Sequence, residues 1–257
     1  MTASEPAVIV ERREAVLVLT INRPAQRNAV DPTVSSAIAG AIRDLEDDPT
    51  LVVGVLAGAG GGFCAGMDLA AFARGEVPFD PERGFAGMTM RRPGKPMIAA
   101  IEGFALAGGL EIALACDLIV AARDARLGIP EVKRGLVAAG GGLRRLPERL
   151  PAGVAMELAL TGEPLDVERA HALGLVNRVT DPGRALEGAL ELAGTIAANG
   201  PLAVAATQRI LREQGEWTEQ EFWARQGEIA GPVLLSADAR EGARAFKERR
   251  EPVWTGA

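Results

Sequence analysis

The chain has 257 residues, of which 48% are hydrophobic and 24% charged, the composition of a folded globule and not of a disordered or fibrous chain. Its 28 basic and 34 acidic residues leave a net charge of −6, and the basic ones are dispersed, which argues against a nucleic-acid surface or an anionic-membrane patch. Two cysteines, Cys64 and Cys116, are too few for a disulfide scaffold, and the opening MTASEPAVIVERR has no basic segment leading into an apolar stretch. The expectation is a reduced, cytoplasmic protein without a signal peptide.

Alternating apolar residues predict a β-hairpin over residues 7–22, ended by Pro24. Asp31 followed by Pro32 reads as an N-cap with proline at the first helical position, and Val34, Ala37, Ile38, Ala41, Ile42 and Leu45 recur at helical spacing. That helix should end near Asp48-Pro49. LVVGVLAG (51–58) is wholly apolar, as a strand covered on both faces would be. A glycine-rich loop follows over 58–69, and then a polar stretch rich in Gly and Pro, 74–92, predicted as a mobile surface loop. PMIAAI (96–101) is a second buried strand, FALAGG a tight turn, LEIALAC a short helix and DLIVAA a third strand. The apolar run 97–122 has the length of a membrane span, but it carries Glu102, Glu111 and Asp117, and a mid-bilayer acid costs roughly 2.5 to 3.5 kcal/mol. Buried core with functional acids is the better reading. Beyond Pro151 the pattern is mostly helical. Trp217, Trp223 and Trp254 all fall in the last part, which suggests a surface packed on the core or on a neighbouring subunit.

The only histidine, His171, lies in a predicted amphipathic helix, which leaves no His-ligated metal site, and any Ser-His-Asp or Cys-His pair would have to use it. There is no GxxxxGK[ST], and Gly58 to Gly62 do not fit GxGxxG. Two glycine-rich turns remain, 63–68 and 103–109, each just after a buried strand. Their glycines either let the chain turn or expose N–H donors that converge as an oxyanion hole. The second turn runs into a helix, whose N-terminus adds partial positive charge. Glu111 falls three residues after Gly108 on the same helix face, among Leu110, Ile112, Ala113 and Leu114, where a carboxylate is costly unless paired or functional. Glu131, set after a short strand by Pro130, would by itself be a salt-bridge partner of Lys133 or Arg134. Two acids in different surroundings beside an anion hole point instead to acid–base work on one water.

Five segments in order resemble the enoyl-CoA hydratase/isomerase (crotonase) family over nearly the whole chain: NRPAQRNAV (22–30), FCAGMDL (63–69), KPMIAAIEGFALAGGLEIALACDLIVAARDARLGIPEVKRGL (95–136), AHALGLVNRV (170–179) and AFKERREPVWTG (245–256). The resemblance implies an α/β fold, a spiral of strand-strand-helix turns over 1–200 with a helical segment, 201–257, used for assembly into trimers or dimers of trimers. It implies that the backbone N–H groups of Ala65 and Gly108 form the oxyanion hole for a thioester carbonyl and that Glu111 and Glu131 are the acid–base pair of the hydratase branch. Gln26, Arg27 and Ala29 match the turn that borders the CoA adenine and ribose, Ala65, Gly66, Met67, Asp68 and Leu69 the strip along the pantetheine, and Lys247 a basic position that often meets CoA. Cys64 needs no role.

The function so implied is that of a lyase adding water to a trans-2-enoyl-CoA, or the reverse, with no metal and no cofactor beyond the CoA of the substrate. Ala107 stands where a glycine is common, Met67 where a smaller residue is, and VAAGGGL (137–143) lacks the usual proline, which bears on substrate more than on chemistry. PEVKRGLVAAGGGLRRLP and REPVWTG also resemble carnitinyl-CoA dehydratase-like members. A Δ3,Δ2-enoyl-CoA isomerase would need only one carboxylate, a non-catalytic acyl-CoA-binding paralogue neither, and a thiol hydrolase built on Cys64 a base that the sequence does not place nearby.

Overall fold

The structure, a computed structural model, describes residues 5–257; residues 1–4, the start of the stretch read as lacking a leader, lie outside it. Strands β1 (Val8–Arg13) and β2 (Val16–Ile21) form the hairpin, paired from Val8 opposite Ile21 to Arg13 opposite Val16. Helix α1 (Pro32–Asp47) starts where Asp31 accepts the Val34 N–H at 2.9 Å, a cap worth about 1 kcal/mol. Strand β3 (Val53–Gly58) lies parallel to β2. Next come the short helix α2 (Leu69–Ala73), the two-residue strands β4 (Phe79–Asp80) and β5 (Gly84–Phe85), β6 (Met97–Ile101) and β7 (Phe104–Leu106). Helix α3 (Gly108–Ala115), β8 (Leu118–Ala122), β9 (Arg126–Gly128) and a 3-10 turn at Pro130–Arg134 complete the central part.

The main sheet runs β1-β2-β3-β6-β8, and it ends on β11 (Arg178–Thr180). All pairings after the hairpin are parallel. Its residues divide by the two-residue period of a strand. Leu19, Ile21, Leu56, Ala99, Ile101 and Ile119 join one core with α1 and α3, while Val16, Val18, Val53, Val55, Ile98 and Val120 join a second. That second core is closed by Ala185, Ala189 and Ala193 of α7 (Ala185–Ala197). A sheet buried on both faces explains why its strands read as unbroken apolar runs.

Two expectations are corrected. The segment read as a tight turn contains β7, which pairs parallel with β9; β9 in turn pairs antiparallel with β10 (Leu165–Asp166). Its residues are too few to show a period in sequence, and the neighbour that makes them a strand lies far along the chain. The stretch 74–92 is a surface loop only in part: 74–77 and 81–82 are exposed, but Arg83, Phe85, Ala86 and Met88 are buried, and Arg83 pairs with Glu46 of α1. Polar and glycine-rich residues there make turns between buried anchors.

The remaining helices are α4 (Gly142–Arg149), α5 (Ala152–Thr161), α6 (Val167–Ala172), α8 (Pro201–Glu213), α9 (Glu219–Leu234) and α10 (Ala237–Glu248). The terminal tail is strapped to α10 by Asp238, which accepts from Thr255 and Gly256, and by Glu241, which accepts from Val253 and pairs with Arg250. Trp254 donates to Ala198 O at 2.8 Å and its ring meets the backbone at Gly200 and Gly242. Trp223 and Phe246 are exposed at 65% and 88%, so the protomer by itself does not cover them. Among the described residues no single helix is long and apolar enough to cross a membrane; α7 and the helical stretch from Pro201 pass a length and composition test only together, across a 109° bend.

Candidate active site

The segment 63–66 runs beside β7. Cys64 N–H donates to Phe104 O at 3.2 Å, and Leu106 N–H returns to Cys64 O at 3.0 Å. At Gly66 the backbone turns with φ +100°, and a Cβ there would stand 2.9 Å from the Gly108 nitrogen, so only glycine lets the two turns approach this closely. The Ala65 N–H points the other way and donates to Arg27 O at 3.1 Å, which corrects its expected role as an oxyanion donor. Gly66 N–H is held by the Cys64 sulfur at 3.3 Å. Among the described residues the Met67 N–H has no acceptor, because Val30 pairs with Gly66 O and with Asp68 N on either side of it. Gly108 N–H, at the first turn of α3, has none either. Met67 and Gly108 are therefore the two open donors flanking Gly66, and they can receive one anionic oxygen.

Ala107, which sets the direction of Gly108 N–H, has φ 51° and ψ −130°, a conformation that strains any residue with a Cβ by about 1 to 3 kcal/mol. Ala107 N–H is tied to Gly128 O at 2.8 Å, and that tie holds the strained turn. Ala107→Gly is expected to raise unfolding free energy by about 1 kcal/mol, the relief of strain less the extra chain entropy of glycine; a denaturant midpoint at or below that of the native protein would refute this.

Glu111 lies in the first turn of α3 and is 4% exposed. Its Oε1 accepts the Gly142 N–H at 2.9 Å. Burial raises its pKa, while the N–H groups of Gly142 and Gly140 and the positive charge of Arg145 act the other way. A Cβ on Gly140 would meet Glu111 Oε2 at 2.6 Å, so the 140–142 glycines form a cradle that a side chain would fill. Glu131 sits in the 3-10 turn after β9 and is half-buried. Its Oε2 is buried without a partner among the described residues. Burial raises its pKa too, and the nearby Glu111 carboxylate adds to that. Among the described residues Glu131 forms neither of the salt bridges open to it in sequence: Lys133 pairs with Glu163, at 2.5 Å, and Arg134 acts on it only as a nearby charge that lowers its pKa.

Of the other expected residues, Gln26 closes a 3-10 turn, Arg27 follows with φ 55° and lays its guanidinium 4.4 Å over the Phe104 ring, and Ala29 is buried. Asp68 caps α2 through Ala70 and Ala71 N–H and pairs with Arg23, which also reaches Asp31. These contacts lower its pKa, the Ala71 N–H most, against burial that raises it. Leu69 opens α2 at the surface. Lys247 is in the last turn of α10, and none of the described hydrogen bonds or ion pairs joins it to these residues. His171 is exposed and donates from Nδ1 to Val176 O at 2.8 Å. Burial pushes the Cys64 and Cys116 thiols up to about 12, so neither is a thiolate at neutral pH. No three His, Cys, Asp or Glu side chains among the described residues converge as metal ligands. Sequence reasoning missed the Met67 N–H and the donors at Gly140 and Gly142; the run of three glycines was the signal for the latter.

Two open N–H groups beside two protonatable carboxyls, carried on strand-to-helix turns of a mostly parallel sheet, are equipment for chemistry on a carbonyl compound that gains or loses a proton. The fold is the crotonase fold. The crystal structure of an enoyl-CoA hydratase from Mycobacterium tuberculosis H37Rv matches it with a TM-score of 0.97 and 59% identity, covering 98% of this chain and 100% of that one. The sequence pattern of the enoyl-CoA hydratase/isomerase family matches residues 11–257, and the chain belongs to that family. Among curated relatives, enoyl-CoA hydratase EchA19 of Mycobacterium tuberculosis is 43% identical, covering 97% of this chain and 96% of its own length. A carnitinyl-CoA dehydratase of Salmonella heidelberg is 42% identical, covering 95% and 97%.

Proposed function

We propose that this protein is an enoyl-CoA hydratase acting on a trans-2-enoyl-CoA thioester, with CoA as its only non-protein group. The observation that carries the reading is the pair Glu111 and Glu131, close enough for one charge to raise the pKa of the other, with Glu111 in the same helical turn as the open N–H of Gly108, which lies against Gly66 and the open N–H of Met67. Isomerisation of a double bond requires one proton shuttle; addition of water requires a base for the water and an acid for the carbon, so a second carboxyl favours hydration.

Glu111, whose carboxylate receives N–H bonds from the glycine cradle, is the better anion and takes the proton from water. The water oxygen then bonds to the β-carbon, and the electron pair of the double bond moves onto the thioester oxygen at Met67 and Gly108. Glu131, with no such N–H donors beyond its own backbone, delivers a proton to the α-carbon as the carbonyl re-forms. Gln26, Arg27, Ala29 and the strip Ala65 to Leu69, with Gly108, border the CoA moiety in this reading. Lys247, exposed in the last turn of α10, is the basic side chain offered to CoA in this reading.

The experiment is a panel of enoyl-CoA thioesters followed by loss of the conjugated-thioester absorbance. Turnover of at least one supports the reading; conversion of 3-enoyl-CoA to 2-enoyl-CoA without hydration would replace it with isomerisation. The likeness to a carnitinyl-CoA dehydratase favours a second substrate, carnitinyl-CoA, which belongs in the same panel, read in the direction of water loss.

We also read residues 201–257 as the assembly segment of a trimer or a dimer of trimers, and the protein as cytoplasmic. Exposed Trp223, Leu235 and Phe246 support the assembly. So does a cleft of about 1770 Å3, lined by Met90, Leu118, Val204, Leu211 and Ile229. Gly140 and Arg145 also line it, but neither Glu111 nor Glu131 does. The solution mass is expected at three or six times 26.8 kDa; a fully active monomer at micromolar concentration would overturn this.

A further inference from the structure

Arg145, in the first turn of α4, is 6% exposed. A buried guanidinium is normally matched by a carboxylate, because taking an unpaired charge out of water is costly. Among the described residues Arg145 has no such match. Its Nη2 donates to Thr89 O and its Nη1 to Gly140 O, the latter at 3.2 Å, and its Nε has no partner among the described residues. Burial draws its pKa down to about 10, which still leaves it charged at neutral pH.

Both carbonyls belong to segments packed on the first turn of α3, one against Gly108 and the other against Glu111. Thr89 follows the buried anchors Phe85, Ala86 and Met88, and the Phe85 ring lies where a Cβ of Gly108 would be, 2.5 Å from Cε1. Gly140 O belongs to the peptide plane between the two donors to Glu111, the N–H groups of Gly140 and Gly142. Three consecutive glycines have no side chains to hold them, and such a segment loses more conformational freedom on ordering than any other. The guanidinium packs directly on it, since a Cβ at Gly141 would come 2.3 Å from Arg145 Nη1. The charges acting on Arg145 are Arg92 and Arg149, which repel it, and Glu148 and Glu111, which favour its charge. The charges of Glu111 and Arg134 act on Glu131 in turn, the first raising and the second lowering its pKa.

We propose that Arg145 is a positioning residue: by clamping Gly140 O and Thr89 O it holds the glycine cradle that orients the Glu111 carboxylate. The proposal rests on the hydratase reading for its kinetic consequence but not for its geometry. It is tested with Arg145→Met, which removes charge and clamp, and Arg145→Lys, which keeps the charge but cannot bridge two carbonyls as a planar fork does.

In Arg145→Met, kcat for hydration is expected to fall about 10- to 100-fold with KM within about threefold, the penalty of a misplaced base and not of lost binding. The Glu111 titration, followed by carboxyl-13C glutamate NMR and assigned by its loss in Glu111→Gln, is expected to move up by about half a unit or more. The acid limb of the pH profile follows it, because loss of a positive charge makes the base harder to ionise. Arg145→Lys should restore the titration and only part of kcat.

Native kcat and a native Glu111 titration in Arg145→Met would overturn the proposal, whatever the change in stability. Should Arg145→Met fail to fold, native kcat in Arg145→Lys would overturn it, and a severalfold loss at unchanged KM would support it. If the native protein hydrates no enoyl-CoA, the hydratase reading fails and the Glu111 titration alone decides the clamp.

Discussion

Glu111→Gln and Glu131→Gln are each expected to lose hydration by about 10² to 10⁴ in kcat while still binding a saturated acyl-CoA. The amide keeps the shape of the side chain, and in Glu111→Gln its oxygen can still accept the Gly142 N–H, so the cradle survives and only the proton chemistry goes. The pH profile carries the sign of the two roles. Glu111 works as the anion, so activity falls as pH drops through its pKa. Glu131 works as the acid, so activity falls as pH rises through its pKa. Burial raises both groups, and both limbs are therefore expected above the range of an exposed glutamate. In Glu111→Gln the charge that helps to raise Glu131 is gone, so the remaining carboxyl should titrate lower than in the native protein. Near-native hydration in Glu131→Gln would return that residue to a structural role, and isomerisation surviving there without hydration would favour the isomerase.

The second large effect is expected at Gly108. Proline there deletes the N–H, and loss of one oxyanion donor costs about 2.7 to 4 kcal/mol of barrier, 10² to 10³ in kcat. Proline suits the first position of a helix, which keeps α3 intact, but a Cβ at Gly108 would press on the Phe85 ring at 2.5 Å. The variant must therefore be shown to fold and to bind a saturated acyl-CoA before its rate is read. Cys64→Ser is the matching control. The buried thiol is held up near 12, and its one contact of consequence, acceptance of the Gly66 N–H, can be made by a hydroxyl. Activity should stay within about threefold, because a hydrogen bond is exchanged and not lost. Loss in Cys64→Ser with retention in a folded Gly108→Pro would assign the chemistry to the cysteine.

The long elements and the two acids were legible along the chain for local reasons. The hairpin, α1 with its Asp31-Pro32 start, the apolar strands β3, β6 and β8, and the helix carrying Glu111 three residues after Gly108 each state their period or their cap within a dozen residues. The apolar company of Glu111 announced a buried acid, and Pro130 set off Glu131 without any structure at hand. Five family segments in order then gave the fold by resemblance.

What the sequence could not decide depends on neighbours remote in the chain. Strand β7 exists because β9 lies beside it, and 83–89 is packed because Arg83 reaches Glu46 and Phe85 reaches Gly108. The direction of an N–H is a property of the backbone torsion and not of the residue name. Gly66 turns at a positive φ, Ala65 N–H is thereby committed to Arg27 O, and Met67 N–H is left open beside Gly108. The same holds for the triple glycine at 140–142, which reads as a departure in sequence and becomes a cradle only when α4 brings Arg145 and Gly142 against Glu111. Residue types and spacing determined which groups this protein has; the crossing of distant turns decided which of their polar atoms remain free to meet a substrate.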